Sequence, residues 1–377
     1  MRNDDPIALA KADIERRMKF PWDMGFLPVS SRGGEGQVKA PWLGSYLHHR
    51  MVNPAAARSD LLQKLKSLDA PCSQKDDACR GALLGLAIGD ALGTTLEFKA
   101  RDQGRVDDIV GGGPFGLEAG FWTDDTSMAS CLAYSLIKSQ GFDARHQMES
   151  YSYWYRYGAY SPTGTCFDIG VTVRNALENF LRTGEPYSGS EDPSTAGNGS
   201  LMRLAPVVLW RNADFAEAVH YAGESSRTTH QAKEAVDACR YWGALLYGAI
   251  NGVAKDVLLN GVYSPVSGYW ERNPLAPTVR EVAEGSYKHK LRSQIQSTGY
   301  VIHTLESALW AFNSTEDFRS GALAAVNLAG DSDTTGAVYG QLAGAFYGET
   351  GIPISWIMKT HAKQGFYHFA SDFLASA

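Results

Sequence analysis

The stretch LAGDSDTTGA, residues 328–337, sets Asp331, Asp333, Thr334 and Thr335 side by side, just ahead of Gly336, Ala337, Val338, Tyr339 and Gly340. The small residues suit a helix that packs tightly against a neighbour, so the acids stand at the edge of a crowded interior. Two carboxylates this close repel each other unless something neutralises them. A fold that accepts this segment must therefore bring positive charge to it. A second segment has the same shape. GFWTDDTSMA, residues 120–129, places Thr123, Asp124, Asp125 and Thr126 at the start of another small-residue helix.

The helical reading extends along most of the chain. DDACRGALLGLAIGDALGTTLEF (76–98) opens on acids, which favour a helix N-terminus, and continues through apolar and small residues as a buried helix does. Apolar residues recur at three and four in 124–140, 171–184, 215–226, 231–253, 299–312, 317–330 and 334–348. The alternation of a strand is almost absent. These patterns predict an all-α, compact domain over 76–377, in which Ala-Gly faces let helix backbones approach closely. Residues 1–75 differ. They mix Pro, Gly and isolated aromatics without periodicity and read as an extended segment, with one short helix at 55–68.

Composition narrows the function. A net charge of −6 argues against a nucleic-acid or anionic-membrane partner, both of which require a basic surface. No apolar run reaches the roughly 18 residues of a membrane span. The N-terminus is charged throughout and lacks the apolar core of a signal peptide. The five cysteines include no CxxC pair, which fits a reducing cytoplasm rather than a disulfide framework or a zinc site.

The two acidic segments admit two readings. Asp and Thr at a helix start serve as caps for free N–H groups. One cap needs only one side chain, however, and here several adjacent acids recur twice among small residues. Carboxylates and threonine hydroxyls are also hard oxygen ligands suited to Mg²⁺ or Mn²⁺, without the His and Cys that zinc prefers. Several carboxylates could hold two ions, an arrangement that orients and polarises an oxygen-rich substrate. Asp331-Ser-Asp333-Thr-Thr335 also matches the DxDxT of haloacid-dehalogenase-type phosphatases. That motif should follow a strand and open a doubly wound sheet, whereas FRSGALAAVNLAG before it is helix-like. An EF-hand is excluded because its spaced ligands and closing Glu are missing.

Six motifs in order, GALLGLAIGDALGTTLEF, GFWTDDTSMA, GNGSLMRLAPV, SSRTTHQ, GYVIHTLESALWAF and NLAGDSDTTGAVYGQLAGAFYG, resemble the ADP-ribosylglycohydrolases, and most closely the dinitrogenase-reductase-activating type. The resemblance spans roughly residues 78–350. It implies an all-α fold of orthogonally packed helices, a dinuclear Mg²⁺ or Mn²⁺ centre, and hydrolysis of ADP-ribose from modified protein side chains, arginine in that branch. It further implies that Thr123, Asp124, Asp125, Asp331, Asp333 and Thr334 are metal ligands. Glu97 corresponds to a glutamate beside the metal centre, and Asp168 to an acid at the scissile region that also contacts substrate. With Asp333 these form the catalytic set. The loop Gly197-Asn198-Gly199-Ser200-Leu201-Met202 corresponds to the ADP-ribose-binding loop, and His230 and Tyr300 to positions lining the same pocket. Read alone, Asp168, Asn198, His230 and Tyr300 equally suit a helix cap, a tight turn and core packing.

Residues 1–75 have no counterpart in the minimal family pattern. Phe20, Trp22, Phe26, Trp42, Tyr46 and Leu47 make them more apolar than a solvated tail. Such an arm could dock on another protein, and members of this family can serve as immunity proteins against ADP-ribosyltransferase toxins. The alternative expectation is therefore a blocking protein that inhibits a toxin through this arm, with hydrolysis secondary.

Overall fold

Glycine recurs every fourth residue on two helices, and these two helices lie backbone to backbone. In the computed structural model, which describes residues 73–375, helix α1 (Gln74–Gly93) carries Gly81, Gly85, Gly89 and Gly93. Helix α13 (Ser332–Tyr347) carries Gly336, Gly340 and Gly344. A Cβ on Gly81, Gly85 or Gly89 would overlap the carbonyl oxygen of Gly344, Gly340 or Gly336 respectively, and a Cβ on Gly93 that of Ser332. The same clashes appear from the other side, at Gly336, Gly340 and Gly344. The register is antiparallel, so the C-terminal end of α1 meets the N-terminal end of α13.

The remaining helices are α2 (Asp124–Lys138), α3 (Ala144–Tyr157), α4 (Val171–Thr183), α5 (Ala205–Trp210), α6 (Phe215–Arg227), α7 (Lys233–Ile250), α8 (Lys255–Leu258), α9 (Tyr269–Arg272), α10 (Pro277–Ala283), α11 (Val301–Asn313), α12 (Phe318–Val326), α14 (Ile354–Lys359) and α15 (Gln364–Ala375). They surround the α1–α13 pair. No strand occurs among the described residues, only isolated bridges such as Glu97 to Gly330 and Gly197 to Tyr300. The expected all-α fold is found. None of the described helices is long and apolar enough to cross a membrane. The aromatic arm and the helix expected at 55–68 lie outside the described residues.

Two differences from the sequence reading have physical causes. The helix expected to run through residue 330 ends at Val326. There the Asn327 side chain binds the backbone of Val106 through both amide atoms, and Ala329 and Gly330 turn into the left-handed region (φ 60° and 72°). That turn aims Asp331 at the site. Helix α3, ARHQMESYSYWYRY, was not expected. Its buried stripe is Met148, Tyr151 and Trp154, carried mainly by aromatics in a polar-looking segment.

The glycine contact makes a direct prediction. In Gly89→Ala the added methyl meets backbone on α13, which cannot rotate away. A loss of about 3 kcal/mol or more in denaturant unfolding is expected, above the usual range for overpacking. Gly141→Ala, where the nearest heavy atom is 3.8 Å away, should stay within about 0.5 kcal/mol of wild type.

Candidate functional site

Both acidic segments open helices, and in neither does the N-cap side chain cap its own helix, although Asp333 Oδ1 accepts from Thr334 N at 2.9 Å. Thr123 before α2 and Asp331 before α13 make no side-chain capping hydrogen bond. The caps come from α1 and the residues just after it. Asp90 accepts from Thr126 N (3.1 Å) and Thr126 Oγ1 (2.6 Å) through one oxygen. Its other oxygen accepts from Thr123 N (2.9 Å) and faces Thr123 Oγ1 (3.0 Å). Most of the acceptor capacity of Asp90 is thus spent holding the start of α2. Glu97 Oε2 likewise accepts from Ser332 N, the first amide of α13, at 3.2 Å.

Capping from outside leaves carboxylate oxygens of the local acids over, since Asp333 gives Oδ1 to Thr334 N and Asp125 gives Oδ2 to Thr123 Oγ1. Asp90, Asp125 and Asp333 each offer an oxygen within 4.8 Å of the others, and so do Glu97, Asp168 and Asp333. Asp333 belongs to both groups. Asp331 accepts from Asn198 Nδ2 at 2.7 Å. Asp168 reaches the cluster from a loop, with φ 60°, and Phe98 beside Glu97 has φ 59°. Left-handed backbone in non-glycine residues is sparsely populated and is held here by surrounding contacts, including Phe98 N to Gly330 O at 2.8 Å.

The crowding raises the carboxyl pKa values. Burial is the larger cause throughout, and a neighbouring carboxylate is the next. Asp90 and Asp331 are each pushed up to about 7 by burial and then by Asp333. Asp168 is pushed up to about 9 by the same causes. Glu97 rises through burial and Asp333, Asp124 through burial and Asp168, and Asp125 through burial and Asp90. Among the described residues none of these acids is in a salt bridge. Asp125 Oδ1 is buried without a hydrogen-bond partner. An all-oxygen donor set with an orphaned carboxylate oxygen fits a hard divalent cation.

Glu97, Asp124, Asp168, Asp331 and Asp333 form the floor of a cavity of about 790 Å³, a size suited to a nucleotide-sized ligand. Of the residues expected at the site, Glu97, Asp124, Asp168, Gly197, Asn198, Gly199, Met202, His230, Asp331, Asp333 and Thr334 line it. Thr123 and Asp125 are fully buried and are not part of its lining. Ser200 and Tyr300 do not line it either: Ser200 Oγ pairs with Ser226 Oγ at 2.8 Å, and Tyr300 Oη donates to Glu234 Oε2 at 2.7 Å. Leu201 is buried in the core. The Gly197 loop is held against the acids by Asn198, whose N donates to Gly299 O and whose Nδ2 reaches Thr304 Oγ1 and Asp331.

A family model described as ADP-ribosylglycohydrolase matches residues 71–377. The chain belongs to the ADP-ribosylglycohydrolase family. It is 46% identical over 303 residues to an ADP-ribosylarginine hydrolase Tri1 of Pseudomonas putida, covering 78% of this chain and 77% of that one. It is 32% identical to the ADP-ribosyl-[dinitrogen reductase] glycohydrolase of Rhodospirillum rubrum, over 76% and 91% of the two chains. A solved structure described as an ADP-ribosylglycohydrolase-related protein complex superimposes with a TM-score of 0.71 at 41% identity, covering 80% of this chain and 99% of that one.

The site also contains residues that the sequence reading passed over. Asp90 is a lone acid in an apolar helix, and its isolation there was the available signal. Phe98, which is 69% exposed, and Phe115 line the cavity, with ring centroids 6.3 Å apart. Phe98 closes the first motif, whereas no motif marks Phe115.

The raised carboxyls imply a pH dependence with a definite sign. Without metal, the folded acids bind protons more tightly than unfolded ones, whose ordinary value is 3.8. Stability contributed by the protonated acids is then present near pH 4 and lost as pH rises through about 7 and about 9. The midpoint of thermal unfolding in EDTA should therefore fall between pH 5.5 and 8.5. Added Mg²⁺ should raise it, and by more at the higher pH. A flat profile in EDTA with no response to Mg²⁺ would contradict the site's electrostatics.

Proposed function

We propose that this protein is a metal-dependent hydrolase that removes ADP-ribose from modified arginine side chains. The observation that carries the reading is that Asp333, on the floor of a nucleotide-sized cavity, is shared by two carboxylate groups, in a chain of this family. Relatives named as ADP-ribosylarginine hydrolases support arginine as the acceptor. So do the aromatic faces of Phe98 and Phe115 at the cavity, which can receive a guanidinium.

Two divalent ions, Mg²⁺ or Mn²⁺, would be held by Thr123, Asp124, Asp125, Asp331, Asp333 and Thr334, with Asp333 common to both. When bound, they supply positive charge that fixes ribose hydroxyls and makes a water more acidic. The chain's own residues do the rest. The Gly197–Gly199 stretch and Met202 receive the nucleotide, and Asn198 keeps that loop against Asp331. The bond from ribose C1″ to the guanidine nitrogen breaks, a water oxygen bonds to C1″, and the proton that the water gives up balances the one the departing guanidine takes up. Glu97 and Asp168 flank Asp333, and the proton of the attacking water passes to one of them. Asp90 orients the Thr123 and Asp125 end of the site rather than contacting substrate. Among the described residues no cysteine is in a disulfide, in keeping with a cytoplasmic setting.

Purified protein incubated with an arginine-ADP-ribosylated protein should release free ADP-ribose in Mg²⁺ and not in EDTA. Asp333→Asn should lower kcat/KM by about 10³-fold or more, and Glu97→Gln and Asp168→Asn compared at saturating substrate should identify the base by the larger loss, about 10²–10⁴-fold in kcat. Equal release in EDTA, or near-full activity in Asp333→Asn with excess Mg²⁺, would refute the reading.

A further inference from the structure

Arg203 is a buried cation without an anion. It is 0% exposed, and among the described residues no carboxylate pairs with it. Its guanidinium lies over the Tyr151 ring, 4.4 Å from the centroid. One nitrogen donates to Gly199 O at 3.1 Å, in the loop that walls the cavity. The other donates to Thr229 Oγ1 at 2.8 Å, with Thr228 Oγ1 at 3.3 Å and Ser225 O at 3.5 Å. Thr229 Oγ1 is in turn 2.8 Å from His230 Nδ1.

These contacts fix proton positions. A guanidinium only donates, so the Thr229 oxygen accepts from Arg203. The hydroxyl has one proton of its own, and its remaining partner among the described residues is His230 Nδ1. The oxygen has a second lone pair, but accepting from Nδ1–H as well would leave the buried hydroxyl proton without an acceptor; Thr229 therefore donates to a bare Nδ1, and a neutral ring then carries its proton on Nε2. Burial and the Arg203 charge keep that ring neutral by lowering its pKa to about 3. The Nε2 edge lies against Gly197 and Gly199: a Cβ on Gly197 would sit 3.3 Å from Nε2, and one on Gly199 would sit 3.0 Å from Cε1. Both glycines and His230 line the cavity.

We infer that Arg203 and Thr229 form a relay that presents His230 as an uncharged Nε2–H donor to an acceptor oxygen of the bound nucleotide. The ligand part of this inference rests on the proposed ADP-ribose chemistry, whereas the relay itself does not. Arg203 and Thr229 are positioning residues. An imidazole without such partners would divide between two tautomers and a charged form near neutral pH.

Long-range ¹H–¹⁵N correlation spectra of histidine-labelled protein at pH 7 read the tautomer directly, with His230→Gln supplying the assignment. The expected spectrum shows a protonated Nε2 and a bare Nδ1. Thr229→Val should admit the other tautomer, and Thr229→Ser should restore the wild-type pattern. Calorimetric titration of the Mg²⁺-loaded protein with ADP-ribose should show a loss of about three-fold for His230→Gln, which keeps an N–H donor, and more than about ten-fold for His230→Ala. A protonated Nδ1 or a doubly protonated ring in the wild type would overturn the relay. The expected tautomer with equal affinity in the Gln and Ala variants would overturn the use of the donor. The expected tautomer in a wild-type protein that does not bind ADP-ribose would overturn the ligand assignment and the proposed function, and leave the relay standing.

Discussion

Contact between the backbones of α1 and α13 is the constraint on which the rest of the structure depends. Glycine within a helix costs about 1 kcal/mol relative to alanine, and this pair of helices accepts that cost repeatedly. What it obtains is an approach that any side chain would block. Because the register is antiparallel, the end of α1 lies on the start of α13. Asp90 and Glu97 thereby come within reach of Asp333, although about 240 residues separate them in sequence.

That approach also resolves the two readings of the acidic segments. Capping and cation binding compete only if the same side chains must do both. Here Asp90 and Glu97, carried by α1 and its extension, satisfy the amides that open α2 and α13. Of the acids that begin those two helices, Asp124, Asp331 and Asp333 line one cavity, and Asp125 is buried beside them. Burial and mutual repulsion raise the proton affinity of Asp124, Asp125 and Asp331, and a divalent cation would relieve both costs together. The same cavity wall is tied back into the core by Arg203, whose uncompensated charge is spread over carbonyl, hydroxyl and aromatic partners.

Much of this was legible in the sequence. The two acidic segments announce themselves because adjacent carboxylates, recurring twice among small residues, exceed what a helix cap needs. Helix periodicity likewise sufficed for α7 and α11. Glu97 and Asp168 were reached only through resemblance, since each is a single acid in a loop. Asp90 was missed because its role exists only once α1 packs on α2, and no local pattern encodes that contact. Ser200 and Tyr300 sit inside motifs that approach the cavity, yet their hydroxyls turn to Ser226 and Glu234. A motif fixes where the backbone passes, and neighbouring packing decides which side chains face the cavity. Helix α3 escaped notice because Tyr and Trp carry its buried face amid polar neighbours.

The central claim is that Asp333 is the shared ligand of two cations. Anomalous scattering from crystals grown with Mn²⁺, measured at the manganese edge, tests it most directly. Two peaks are expected among Thr123, Asp124, Asp125, Asp331, Asp333 and Thr334, both in contact with the Asp333 carboxylate. A single peak, or peaks that do not touch Asp333, would contradict it.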